Sequence, residues 1–343
     1  METDSDSEEI KLVEIKVPNR DLTDLIELEL SPLPYNCSYL NCSNNKLTVL
    51  PDLGDNLYLE GLKCDINQLK KLPKLPPNLV DLECGSNMLT VLPKLPNLTA
   101  LKCGNNNLTE LPRLPDSLEQ LECNNNYLTE LPRLPNSLEQ LECDNNNLTE
   151  LPKQLPTKLR TLYCNNNKLT KLPPNLPVYL LRLECNNNDL TVLPKLPSNL
   201  ERLKCNNNKF TVLPDLPKSL LEVNCVNNNI IKIGDMSLLT IYVEINVNNL
   251  SLDSLKKYRN HLIKFGKDLN NVNERIDSLN VELAIGRHKK IPVNVVNKDG
   301  VRIETISRNL IESFIARGTK KNKKRMTNKR NKSNKKATFK KSR

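Results

Sequence analysis

The stretch LEQLECNNNYLTELPRLPNS, Leu118–Ser137, is followed at once by LEQLECDNNNLTELPKQLPT, Leu138–Thr157. Aligned on the central Cys, the same text recurs at Cys42, Cys64, Cys84, Cys103, Cys123, Cys143, Cys164, Cys185, Cys205 and Cys225, and finally at Ile245. That makes eleven units stepping by 19 to 22 residues. Self-similarity at such a period is the mark of a solenoid, in which each unit buries its apolar face only by stacking on the next.

Within one unit the residues around L-x-C alternate. Leu121 and Cys123 are expected to face inward, with Gln120, Glu122 and Asn124 outward, on a short strand. Three residues beyond each central position stands an Asn: Asn45, Asn67, Asn87, Asn106, Asn126, Asn146, Asn167, Asn188, Asn208, Asn228 and Asn248. An amide there can satisfy backbone groups where the chain turns out of the strand. The second half, L-T-E-L-P-R-L-P, forbids a helix, because its prolines remove donors and push the preceding residue to extended geometry. The fold expected is mainly β: a curved solenoid with a parallel concave sheet and an extended, polyproline-II-like convex side.

The template L-x-x-L-x-C-x-x-N-x-L-T-x-L-P-x-L-P matches the leucine-rich repeat. Its short form with L-P-x-L-P on the convex side resembles the bacterial-effector class, the YopM and IpaH type. The Cys in the strand and the Asn run after it, as in Leu183-Glu184-Cys185-Asn186-Asn187-Asn188, look still more like the leucine-rich repeat proteins of giant DNA viruses of the mimivirus kind. The similarity covers about residues 40–250. It implies the fold and a protein-binding role, but no particular target.

The chain has 343 residues, and its 38% hydrophobic content with 3% aromatics is thin for a large globular core. It suffices for stacked Leu ladders. The net charge of +10 is concentrated: residues 319–343 hold thirteen Lys or Arg and no acid, so the other 318 residues sum to −3. The opening METDSDSEE lacks the basic start and apolar run of a secretory signal, and no stretch approaches the ~20 apolar residues that span a membrane. An intracellular protein is expected, host cytoplasm or nucleus if viral. Of eleven Cys, ten occupy the inward position and Cys37 stands in for a Leu. In register on parallel strands about 4.8 Å apart, such side chains point the same way, which suits buried free thiols and a reducing compartment. With no C-x-x-C, and with His261 and His288 as the two histidines, neither metal nor cofactor is expected.

The flanks read as follows. Residues 1–9 are acidic and expected to be disordered. In 10–36, Val13, Ile15 and Val17 alternate before Leu22, Leu25, Leu28 and Leu30, which reads as a divergent cap. The solenoid occupies 37–250. In 251–318, Asp253 is expected to cap a helix carrying Leu255, Tyr258, Leu262 and Phe265, ended by Gly266. A second helix over Leu269–Leu279, a strand over Val281–Ile285, a hairpin across Asn297–Gly300 and a helix from Ser307 to Gly318 complete a small α+β module, either a cap or an independent domain. Residues 319–343 form a disordered basic tail.

Catalysis is not expected. Some effectors with this repeat carry a ubiquitin-ligase domain that needs a nucleophilic Cys, but no thiol follows Cys225. The concave face is the candidate site. Its outward residues include Asp81, Glu83 and Lys102, then Gln120, Glu122, Gln140, Glu142, Asp144, Thr161, Tyr163, Arg182, Glu184, Arg202 and Lys204. Acid is expected to dominate the middle and base the C-terminal third, which would orient a partner of opposite pattern. Tyr163 is the sharpest single candidate, because an exposed Tyr offers much contact area for little entropy. Eleven strands give a face roughly 50 Å long, ample for a standard interface. The Asn runs, such as Asn124-Asn125, Asn165-Asn166 and Asn206-Asn207, are attributed first to biased codon usage, with a hydrogen-bonding platform as the alternative.

The leading expectation is therefore a monomeric, non-enzymatic scaffold that binds a protein on the concave face, with no membrane association. The rival is a protein that binds nucleic acid or another polyanion nonspecifically through Lys320, Lys321, Lys323, Lys324, Arg325, Lys329 and Arg330.

Overall fold

The computed structural model describes residues 11–53, 56–237, 239–240, 243 and 245–289. The expected acidic N-terminus, the hairpin, the last helix and the basic tail lie outside them. The chain divides into two compact units, 1–273 and 274–343.

The described part of the first unit is a parallel solenoid. Its strands are β1 (Val13–Lys16), β2 (Cys37–Asn41), β3 (Gly61–Lys63), β4 (Asp81–Glu83), β5 (Ala100–Lys102), β6 (Gln120–Glu122), β7 (Gln140–Glu142), β8 (Thr161–Tyr163), β9 (Arg182–Glu184), β10 (Arg202–Lys204), β11 (Val212–Leu213), β12 (Glu222–Asn224) and β13 (Lys232–Ile233). All but β11 and β13 form one eleven-stranded sheet in chain order. From β2 on each is in register with the next, so that Leu121 lies between Leu101 and Leu141, while the pairing of β1 with β2 shifts between Val13 and Glu14. β11 and β13 make a short parallel pair of their own.

The eleven strands are not the eleven units counted in sequence. The cap supplies the first, β1, whereas the Ile245 unit forms no strand among the described residues. That unit lacks the L-x-C text, and no further turn follows to pair with it. Val13 also departs from the expected alternation. It is 39% exposed, while Val17, Leu22 and Leu25 are the cap residues that close over the core.

Inside the turns the reading holds closely. Leu118, Leu121, Cys123 and Leu128 are completely buried, as are their equivalents in neighbouring turns. Fully burying such a side chain contributes about 1.5–3 kcal/mol. All eleven Cys are buried and free. Loss of water around them pushes the thiols up, to about 12 for Cys42, Cys103 and Cys225.

The Asn ladder supplies the polar half of the core. Asn126 Nδ2 donates to the carbonyls of Cys103, Cys123 and Asn124 at 3.1–3.3 Å, and its Oδ1 accepts from the Leu108 N–H at 3.0 Å. Asn146 repeats the pattern one turn on, at 3.0–3.1 Å. The ladder ends at Asn228, because Asn248 is exposed and makes none of these bonds.

The second Asn of each run has a conformational reason. The residue two beyond each Cys has φ between 52° and 56°, and in eight of ten turns it is Asn. Asn is among the few side chains that tolerate this left-handed geometry. Asn166, Asn187, Asn207 and Asn227 also link side chain to side chain at 2.7–2.8 Å.

The C-terminal end of the solenoid is closed by α1 (Leu252–Lys264). Its N-cap is Ser251, whose side chain accepts from the Ser254 N–H at 3.3 Å; the expected cap, Asp253, lies in the first turn and pairs with Lys257 at 3.3 Å. Ser251 wins because it is the residue with extended backbone just ahead of the helix. Gly266 ends the helix with φ +61°, as expected. Three α1 side chains replace the missing next turn. Ser254 Oγ accepts from the Ile233 N–H at 3.1 Å, Tyr258 Oη from Ile245 at 3.4 Å and His261 Nε2 from Val243 at 3.1 Å. Lys264 Nζ donates to the carbonyls of Ser237 and Leu239 at 3.0 and 2.6 Å.

The second helix, α2 (Asn270–Lys289), overruns the strand expected over Val281–Ile285. Val281 and Ile285 stand four apart, which suits a helix as well as a strand, and Glu282, Leu283, Ala284 and Arg287 favour the helix.

Two expected outcomes follow from this packing. Asn126→Ala leaves buried backbone groups without partners and costs about 2–3 kcal/mol in a urea titration, whereas Asn248→Ala is close to neutral. His261 accepts through Nε2 and so must be neutral; burial first, then Lys264, hold its pKa below 6.5. The cap's contribution is complete above pH 6.5 and lost as pH falls. His261→Gln, which keeps an acceptor, is expected to flatten the decline in urea midpoint between pH 7 and 5.

Candidate functional site

Alternation along each short strand decides what the concave face presents. In β6 and β7 the central Leu is buried, while Gln120, Glu122, Gln140 and Glu142 stand half-buried on the open side. Thr161 and Tyr163 do the same in β8, Glu184 in β9, and Arg202 and Lys204 in β10, while Arg182 of β9 is exposed on the same side. Asp144 follows β7 in the column after the Cys. The structure thus brings all ten expected face residues onto one surface. The seven expected tail residues lie outside the described part.

Register stacks equivalent side chains into columns. The column just before the Cys reads Lys63, Glu83, Lys102, Glu122, Glu142, Tyr163, Glu184 and Lys204. Opposite charges on adjacent strands pair. Glu83 lies 3.0 Å from Lys63 and 3.5 Å from Lys102, and Lys102 is 3.8 Å from Glu122. At the other end Lys204 is 3.1 Å from Glu184 and 3.5 Å from Glu222, and Arg202 is 2.8 Å from Glu222 and 3.8 Å from Glu184. These pairs correct the expectation of a basic C-terminal third. Glu184 and Glu222 offset Arg202 and Lys204, and Arg182 alone stays outside the network. Glu222 was missed because it sits one turn beyond the stretch in which the charges were counted, in the same column as Arg202.

The acidic middle is a different case. Gln120 Nε2 donates to Glu122 Oε1 at 2.5 Å and Gln140 Nε2 to Glu142 Oε1 at 2.8 Å. Glu142 and Asp144 take part in none of the ion pairs of the described residues. Burial first, with Glu122 and Glu184 nearby, raises Glu142 above the usual carboxylate range. Burial likewise pushes Asp144 up to about 6, although it accepts from the Asn165 N–H at 2.5 Å. Tyr163 stands half-buried in register between Glu142 and Glu184. The centre of the face is therefore an aromatic ring between Glu142 and Glu184, with Asp144 further along the same turn as Glu142, and neither Glu142 nor Asp144 in an ion pair among the described residues.

Asp144 is also the exception among its neighbours. The equivalent residue is Asn124 one turn earlier and Asn165, Asn186 and Asn206 in the next three. Because its folded pKa is raised, its ionisation opposes folding. The penalty is absent below pH 3.8 and complete above about pH 6. Asp144→Asn is expected to raise the denaturant midpoint at pH 8, with the gain shrinking below pH 6 and vanishing near pH 4.

Among the described residues no group of three or more His, Cys, Asp or Glu is arranged to hold a metal, and no helix is long and apolar enough to cross a membrane. No family model matches the sequence, and no curated protein does. Solved structures do. The leucine-rich effector protein YopM from Yersinia pestis is 39% identical over 64% of this chain and 62% of its own, with a TM-score of 0.57. YopM from Yersinia enterocolitica is 29% identical over 69% and 67%, with a TM-score of 0.50. The functional domain of InlJ from Listeria monocytogenes, which includes a cysteine ladder, is 28% identical over 69% and 54%, with a TM-score of 0.58. The chain thus spans less than two thirds of the length of the Yersinia pestis structure and about half that of InlJ. None of these bears on the resemblance to giant-virus proteins. With the Leu, Cys and Asn ladders in register on one parallel sheet, and these likenesses beside them, the chain is built as a leucine-rich-repeat solenoid in the short, proline-rich form, similar to these proteins.

Proposed function

We propose that the chain is a non-enzymatic recognition scaffold that binds a protein partner on the concave face, centred on β6–β9. The observation that carries this reading is the contrast across the face. Flanking charges neutralise one another strand by strand, while Glu142, in register with Tyr163, and Asp144 beyond it on the same turn form no ion pair among the described residues. A column that keeps Asp where its neighbours have Asn gives up stability, and natural proteins retain such losses where a site needs them. A basic, extended surface on the partner would meet both carboxylates and the ring. A sheet held by in-register ladders also loses little conformational freedom on binding. The eleven buried free thiols favour action in a reducing, intracellular compartment.

The test is affinity capture from cell extract with quantitative mass spectrometry. A stoichiometric partner held by the wild type is expected to be lost at least tenfold with Tyr163→Ala and with Glu142→Lys. It should persist with Lys209→Ala, whose partner Asp189 lies outside the face columns. Equal recovery from all four proteins would exclude the face. Arg202→Glu is unsuited to this purpose, since it would place a third acid between Glu184 and Glu222.

A further inference from the structure

We infer that Asp81 anchors an arginine side chain of the protein partner, in a notch toward the N-terminal end of the same face. The inference rests on the reading of that face as a protein-binding surface, and it assigns a second contact and its chemistry.

Asp81 Oδ1 is buried and accepts no hydrogen bond. Burying a carboxylate oxygen without a donor costs stability, and such an atom calls for an explanation. The cations nearby are engaged elsewhere. Lys63 is hydrogen-bonded to Glu83 and only more weakly attracted by Asp81, and Lys102 lies between Glu83 and Glu122. Asp81 belongs to none of the ion pairs of the described residues.

Its surroundings explain both the burial and the opening. In register, Asp81 lies between Gly61 and Ala100. A Cβ on Gly61 would stand 2.5 Å from the Tyr39 ring, so that ring occupies the space over β3 and walls off one side. On the other side the column drops to Ala100 before rising again at Gln120. The small side chain of Ala100 thus leaves a gap in the column beside a partly buried carboxylate, with the Tyr39 ring over the strand on its other side. A guanidinium suits it better than an ammonium, because its planar fork offers two parallel N–H donors to a carboxylate that turns Oδ1 outward to meet it, and it loses less hydration on entry.

The test uses the full chain, labelled with ¹³C at aspartate carboxyls and ¹⁵N in the backbone, titrated with N-acetyl-arginine amide and, separately, N-acetyl-lysine amide. The expected result is a saturable shift of the Asp81 carboxyl and the Ala100 amide with the arginine probe, at least tenfold weaker with the lysine probe. Asp81→Asn abolishes the Ala100 shift yet melts at or above the wild-type temperature. Ala100→Leu, which fills the gap, weakens the response at least tenfold. No saturable shift, an undiminished response in Asp81→Asn, or a clear drop in its melting temperature overturns the inference, the last by making Asp81 a structural carboxylate. Absence of the probe response while partner capture stays sensitive to Tyr163→Ala overturns the notch alone. A saturable, Asp81-dependent response with insensitive capture upholds the notch and excludes only the centre of the face.

Discussion

A chain that turns every twenty residues faces a steady supply of buried N–H and C=O groups that no strand can pair. In this protein one amide per turn meets most of that demand. Asn126 gathers three carbonyls and one N–H from two consecutive turns. Because it reaches across the boundary between turns, it also fixes their register, and register in turn lines up the Leu and Cys columns and the charged columns outside. The residue before it is the corner, held at positive φ. Where that corner is Ile66, a β-branched side chain sits in a conformation it rarely adopts, 49% exposed and without the Asn side chain found at eight of the ten corners. The ladder holds that turn regardless.

Both ends of such a stack need a device that the repeats cannot supply. At the start it is apolar closure by Val17, Leu22 and Leu25. At the end it is a set of acceptors on α1, offered to N–H groups that a further turn would have paired. The contrast follows from polarity along the stack, since a side-chain oxygen or imidazole nitrogen can stand in for a carbonyl of the next strand. The same contrast explains why Ser254 and His261 are buried in a helix that otherwise shows an ordinary amphipathic face.

The repeat made the strands, the inward and outward faces, the thiols and the Asn ladder legible in sequence, because period and alternation are local. What escaped was set by neighbours in space. The pairing of Arg202 with Glu222 spans twenty residues and emerges only when strands are laid side by side. The role of the middle Asn as a left-handed corner was hidden because a favourable conformation and a compositional bias leave the same letters. The strand assigned to Val281–Ile285 failed for a third reason: five residues with three apolar ones fit either period, and flanking propensity decided for the helix. Of the site, membership of the face was readable from alternation, but which charges remain uncompensated was not.

The thiol column has a consequence for how this fold behaves over time. Each Cys is sealed by the turns on either side and held as an unreactive thiol, so a soluble alkylating reagent can reach it only when its own turn opens. Because such openings differ in free energy along a structure, the order in which the Cys are modified would map the local breathing of the solenoid turn by turn. The protein in this sense carries its own set of stability gauges, one in almost every turn.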